Sequence, residues 1–288
     1  MNTFLSKEYR KWRLLRDRPR EGAYNMAVDE AILISHALGE VPPTLRLYQW
    51  IPPAVSIGFS QNLTKEVDVK NCSHLGIDIV RRPTGGRAVL HDKELTYSVI
   101  IHTRMLPGSV LETYKYLSQG LLEAINLLGL TARIAPKPVK SLNPGSPSCF
   151  DSSSWYEIEV SGKKLVGSAQ TRKKDVLLQH GAILMELDIN KLLQVLAAPS
   201  EKVRQRLAAA LKKQATAINP ELLQLGRAPV QPDRVEQAVV EGFQAALGIA
   251  LEPAGLTERE KNIAAVLAET KYAAQDWTLL RKDVEHYV

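Results

Sequence analysis

The segment WYEIEVSGKKLVGSAQTRKKDVLLQHGAIL, from Trp155 to Leu184, constrains the fold more than any other part of this 288-residue chain. Three stretches rich in strand formers are separated by Ser161-Gly162 and by Lys173-Lys174-Asp175. Turn residues at such short intervals between apolar runs read as hairpin loops, so the segment predicts a meander of three strands. Upstream, WRLLRD, TLRLYQW, AVSIGF, Asp78 to Arg82 and Leu95 to His102 read as further strands. Asn25 to His36 reads as a helix capped by Asn25, and Gly108 to Leu130 as a long helix with Leu111, Tyr114, Leu117, Leu121 and Leu122 at helical spacing. Downstream, Ile189 to Ala197, Ser200 to Lys213, Pro232 to Leu247 and Thr257 to Ala273 are helical in pattern. Strands in the first two thirds with helices closing the chain predict an α+β fold.

Composition narrows the function classes. Residues 1–22 are rich in Lys and Arg without the apolar stretch of a signal peptide, and no later run approaches the roughly 18 apolar residues of a membrane span. A cytoplasmic protein with no membrane partner is expected. The formal charge of +6 favours acidic partners. Seven of the basic residues lie between Lys7 and Arg20 (Lys7, Arg10, Lys11, Arg13, Arg16, Arg18 and Arg20), which form either a solvated edge or a docking patch. Nucleic-acid binding, the reading from another class, has no recognisable motif here, and aromatic residues for stacking make up only 6%. Two cysteines, Cys72 and Cys149, are too few for a disulfide framework, and six scattered histidines offer no metal-binding spacing. No metal and no cofactor are implied.

The most unusual stretch is RRPTGGRAVLHDKELTYSVII, Arg81 to Ile101. Its Gly85-Gly86-Arg87 supplies neither GxGxxG nor GxxxxGK[ST], and Gly162 to Ser168 gives GxxxxGS without the phosphate-gripping lysine. A glycine pair between strands can be a plain turn or a place where backbone N–H groups meet a carbonyl or phosphate. Four ordered blocks bear on the choice: RRPTGGRAVLHD, ELTYSV, SCFDSSSWYEIEVSGKKLVGSAQ and LLQHGAIL. Together they resemble the biotin/lipoate protein ligase and octanoyltransferase superfamily, most closely its LipM-type octanoyltransferases, from about Trp12 through KYAAQDW.

The resemblance implies a mixed, largely antiparallel sheet flanked by helices, with a catalytic core over 33–248 and segments 1–32 and 249–288 packed on the same domain. It implies an octanoyltransferase that takes octanoyl from acyl carrier protein onto a cysteine and passes it to a lysine of a lipoyl-type domain, such as the glycine cleavage H protein. Cys149 matches the thioester nucleophile and Lys164 the lysine that favours its thiolate. Arg82, Thr84, Gly85, Gly86 and His91 would line the mouth of an acyl tunnel, closed by Gly167, Ser168, His180 and Gly181. Taken singly, His91 and His180 are better explained by structural roles than by acid–base work, and Cys72 reads as a small buried hydrophobe. Lipoate ligases carry a third glycine where Arg87 stands and activate a free acid with ATP. Arg87 adds bulk and charge there and so stands against an ATP-dependent lipoate ligase, which is kept as one alternative; an amidotransferase moving octanoyl between lipoyl domains is another.

Overall fold

The structure, a computed structural model, describes residues 10–106, 108–135 and 157–281. In chain order its first elements are β1 (Lys11–Arg16), α1 (Gly22–Ala37), β2 (Thr44–Tyr48), β3 (Ala54–Ile57), α2 (Leu63–Glu66), α3 (Val69–His74), β4 (Asp78–Arg81), β5 (Val89–His91), β6 (Glu94–His102) and α4 (Val110–Leu127). They are followed by β7 (Ala132–Ile134), β8 (Ile158–Val160), β9 (Lys163–Lys173), β10 (Val176–Leu184), α5 (Ile189–Val195), α6 (Glu201–Gln214), α7 (Ile218–Gln224), α8 (Pro232–Leu247), β11 (Ala250–Pro253) and α9 (Glu258–Leu267).

An eight-stranded sheet runs β11-β1-β2-β6-β10-β9-β8-β7. β1 is parallel to β11 and β2, and the other neighbouring pairs are antiparallel. A smaller sheet, β4-β3-β5, holds one parallel and one antiparallel pair. The mixed, largely antiparallel α+β fold is thus present. The meander is β8-β9-β10, and its turns show why it forms. Ser161 and Gly162 have φ of 52° and 74°, Lys174 and Asp175 of 49° and 61°. Positive φ at both central residues matches the right-handed twist of the strands that such a loop joins.

Alternation along β6 divides the molecule. Leu95, Tyr97, Val99 and Ile101 meet Leu117 and Leu121 of α4 and Val239 and Phe243 of α8. Ile100 joins Ala31 and Ile32 of α1 and Leu178 of β10 on the other face. Thr96 and Ser98 share that second face by the same alternation and are buried, so the sheet presents polar atoms to α1 in an otherwise apolar layer.

Several local expectations are corrected. Helix α1 begins at Gly22, not after Asn25. Asn25 lies inside it, and its amide donates to the carbonyls of Arg20 (3.1 Å) and Gln49 (3.0 Å), tying down the chain on either side. The basic N-terminal stretch is neither uniformly solvated nor uniformly available for docking. Arg13 is 5% exposed and pairs with Glu260 of α9, while its Nε donates to Thr44. The last long helix is α-helical only to Leu267 and continues as a π-helical turn over Ala268–Tyr272. The short strands β5, β7 and β11 and helix α7 had no clear periodic signal. Among the described residues no helix is long and apolar enough to cross a membrane.

The C-terminal segment is fastened to the Gly-rich turn region. Arg81 donates to the carbonyls of Gly58 (2.9 Å), Phe59 (2.8 Å), Gln61 (2.8 Å) and Thr278 (2.6 Å), and its own carbonyl accepts from Trp277 Nε1 (2.8 Å). Trp277 is 2% exposed and contacts Tyr272 and Phe59. Trp277→Ala is expected to cost about 3–5 kcal/mol, as for other buried aromatic truncations, measured as a lower urea midpoint at unchanged slope.

Candidate active site

Register builds the site in two rows across the sheet. Arg46 of β2, Ser98 of β6, His180 of β10 and Ala169 of β9 are successive cross-strand partners. Tyr48, Thr96, Ala182 and Gly167 form the next row. Asp29 of α1 lies over the first. Its carboxylate accepts from Arg46 Nη1 and Ser98 Oγ at 2.8 Å each and from the Tyr48 hydroxyl at 3.1 Å, with His180 Nδ1 at 3.4 Å. Arg46 also reaches Asp17 at 2.7 Å and the side-chain oxygen of Asn25 at 3.0 Å.

Burial by itself would raise the Asp29 pKa, but the charge of Arg46 and the bond to His180 outweigh it and hold the carboxyl below its ordinary value. Burial depresses the His180 pKa against the pull of Asp29. A neutral imidazole facing an acceptor-only carboxylate carries its hydrogen on Nδ1, which leaves Nε2 to accept from Thr84 Oγ1 at 2.6 Å. The Gly-rich turn is thereby tied to the sheet through His180.

Arg82 folds that turn from within. It is 4% exposed and donates to the carbonyls of Ser56 (2.9 Å), Gly85 (2.8 Å) and Arg87 (2.7 Å). Gly86 must lack a side chain, since its φ is +92°. Gly58 needs the same for a different reason: a Cβ there would stand 2.0 Å from the Gly86 carbonyl oxygen. His91 Nδ1 lies 2.9 Å from Glu94 Oε1, its Nε2 lies 2.8 Å from Ser56 Oγ, and its ring stacks on Trp50 at 4.0 Å.

Between these groups is a cavity of about 220 Å³. Met26, Tyr48, Trp50, Val89, Ala169 and Ala182 supply apolar walls. Of the residues expected around a tunnel, Arg82, Gly86, His91, Gly167, Ser168, His180 and Gly181 line it. Thr84 reaches it only through His180, and Gly85 contributes its carbonyl to Arg82. The Ser168 hydroxyl is engaged by Tyr97, which donates to it at 2.7 Å. A Cβ on Gly181 would meet Gly167 O at 2.5 Å and the Tyr97 ring at 2.9 Å, so a glycine is needed there.

Lys164 lies apart from the cavity lining, three positions before Gly167 on β9, roughly 10 Å along the strand. It is 3% exposed and its Nζ donates to Glu157 Oε1 at 2.5 Å. Cys149 lies outside the described residues. Cys72 is buried on α3, its thiol pushed up to about 11 by burial with the charge of Asp68 adding to it, which leaves it protonated and unreactive at neutral pH. Sequence reading passed over Asp29, Glu157 and Gly58. The one visible sign of Asp29 was a carboxylate within MAVDEAILI, a run otherwise apolar but for Glu30.

Asp29→Asn would leave Arg46 and its neighbours opposite a neutral amide and is expected to destabilise the fold by about 3–5 kcal/mol. Because the folded pKa of Asp29 is depressed, its contribution is present above the ordinary carboxyl value near 3.8 and is lost as pH falls through the folded value. Denaturation at a series of pH values should show the gap between wild type and variant closing below about pH 4.

The chain belongs to the lipoyl protein ligase A/B catalytic domain family, whose model matches residues 21–244. Among curated relatives it is 50% identical to the octanoyltransferase LipM of Kyrpidia tusciae over 272 residues, covering 92% of this chain and 97% of that one. It is 45% identical to octanoyltransferase LipM of Bacillus subtilis over 278 residues, with 94% and 98% covered. Among solved structures, the bi-partite lipoate protein ligase of Thermoplasma acidophilum superposes with a TM-score of 0.80 at 29% identity, covering 95% of this chain and 99% of that one. A lipoate-protein ligase A bound with ATP superposes at 0.75 and 27% identity, covering 93% and 98%.

Proposed function

We propose that this chain is an octanoyltransferase of lipoate biosynthesis, carrying octanoyl from acyl carrier protein to a lysine of a lipoyl-type domain, in particular the glycine cleavage H protein. The observation that carries the reading is the cavity: apolar walls suited to an alkyl chain end at the Thr84–His180 contact and the Gly-rich turn, where a carbonyl can meet polar atoms. The relatives named octanoyltransferase LipM, 42–50% identical, support the acyl group.

In the first half-reaction the Cys149 thiolate attacks the thioester carbonyl, the bond to the pantetheine sulfur breaks, and that sulfur leaves and takes up a proton. In the second, the lysine amine attacks the acyl-enzyme, the amide forms, and Cys149 leaves as thiolate while the amine gives up a proton. Lys164 would favour the thiolate or carry the proton. Its ammonium is already paired with Glu157, so its influence on a thiol is that of an ion pair rather than of a lone cation. The location proposed is the cytoplasm. Residues 10–32 and 249–281 are proposed to fold with 33–248 as one unit, supported by the places of β1 and β11 in the main sheet. One cooperative unfolding transition by two probes is the expected result.

The ATP-bound ligase among the similar structures makes an ATP-dependent ligase the second reading. Intact mass after mixing with octanoyl carrier protein, without ATP, separates the two. An octanoyl adduct on wild type and on Cys72→Ser, and none on Cys149→Ala, is the expected result. Octanoylation only in the presence of ATP, or undiminished in Cys149→Ala, overturns it.

A further inference from the structure

Helix α6 (EKVRQRLAAALKKQ) carries five basic residues and one acidic one. Leu207, Ala210 and Leu211 are buried, and Leu207 and Leu211 share a core with Val89 and Ala182, two residues of the cavity wall. The helix packs on α5 and β9 and so borders the apolar layer that backs these two wall residues. Its end is tied to Lys164: Ala215 bridges to that residue, and Thr216 N donates to the Lys164 carbonyl at 2.9 Å.

Lys202, Arg206 and Lys213 are exposed. At 3.6 residues per turn they fall within about 40° of one another around the axis and span roughly 16 Å. Arg204 takes Glu201 as its ion partner, whereas Lys202, Arg206, Lys212 and Lys213 have none among the described residues. Helix stability does not account for the stripe. Lys212 and Lys213 sit favourably at the negative end of the helix dipole, but Lys202 lies in the first turn, where the dipole opposes a cation.

We propose that the Lys202–Arg206–Lys213 face of α6 is the docking surface for the acidic acyl carrier protein that delivers the octanoyl thioester. The proposal rests on the reading of the chain as an octanoyltransferase. Charge complementarity selects an acidic partner. Reach selects the carrier protein over the lipoyl domain. A protein seated along the stripe is on the side of α6 away from Leu207 and Leu211, with the helix between it and the apolar layer behind the cavity, an offset that a pantetheine arm, several times longer than a lysine side chain, can bridge. A lipoyl lysine must approach the acyl group directly.

The test is Lys202→Glu/Arg206→Glu/Lys213→Glu, with the corresponding triple Gln variant as a milder control. All three sites are exposed, and an unchanged urea midpoint verifies folding. Binding of carrier protein lacking an acyl group, measured by calorimetry at low salt, needs no turnover. The Kd should rise at least about tenfold in the Glu variant and less in the Gln variant, with the difference shrinking at high salt. Acylation by octanoyl-pantetheine, which has no protein to dock, and transfer from the acyl-enzyme to the lipoyl domain should be unchanged. An unchanged Kd overturns the proposal, as does a loss confined to the lipoyl-domain step or equal with octanoyl-pantetheine. A wild type that binds carrier protein through this face yet is never acylated leaves the docking surface standing and overturns the octanoyltransferase reading instead.

Discussion

A buried ion pair, Asp29 with Arg46, sets the terms for the rest of the structure. Both side chains are wholly shielded from water, which is costly unless every polar atom finds a partner. They find them by drawing on α1, β2, β6 and β10 together: Asn25 and Asp17 complete Arg46, and Ser98, Tyr48 and His180 surround Asp29. Such a network tolerates one register. A slip of one residue would turn Ser98 and His180 to the α4–α8 face and set Tyr97 or Val99 against a charged carboxylate.

From that fixed point the site is assembled outward. Asp29 sets the His180 hydrogen on Nδ1, Nε2 then takes the Thr84 hydroxyl, and the turn that Arg82 folds is brought over the cavity. In the neighbouring row, Ala182 and Gly167 are small enough to leave room for an alkyl chain, while the hydroxyls of Tyr48 and Thr96 are taken up by Asp29 and Glu94. His180 in one row and Ala182 and Gly167 in the next give a place for a carbonyl beside a place for a hydrocarbon.

The sequence disclosed the parts of this whose cause is local. Ser161-Gly162 and Lys174-Asp175 adopt the positive φ that short hairpin loops require, so the β8-β9-β10 meander was legible, and α8 begins at the proline where its pattern starts. Long-range pairings were not. Nothing near Arg13 announces Glu260, 247 residues away, and a basic run reads alike whether its members are solvated or buried. The strands β5, β7 and β11 span only three or four residues, too short for a period to register. At the site, motif likeness located the turn, Lys164 and His180. Asp29 and Glu157, the carboxylates that orient His180 and Lys164, lie in strings whose pattern says only helix and strand.

A buried carboxylate that holds a neutral imidazole in one tautomer, and so anchors the turn, leaves its mark on His180 itself. Nitrogen-15 NMR of the histidine-labelled full chain, with His180 assigned by its absence in His180→Gln, reports both charge and tautomer. At pH about 6.5, where a free histidine is half protonated, His180 should be neutral with its hydrogen on Nδ1 and an acceptor shift at Nε2. An imidazolium at that pH, or a hydrogen resident on Nε2, would mean that Asp29 does not hold His180 in this form.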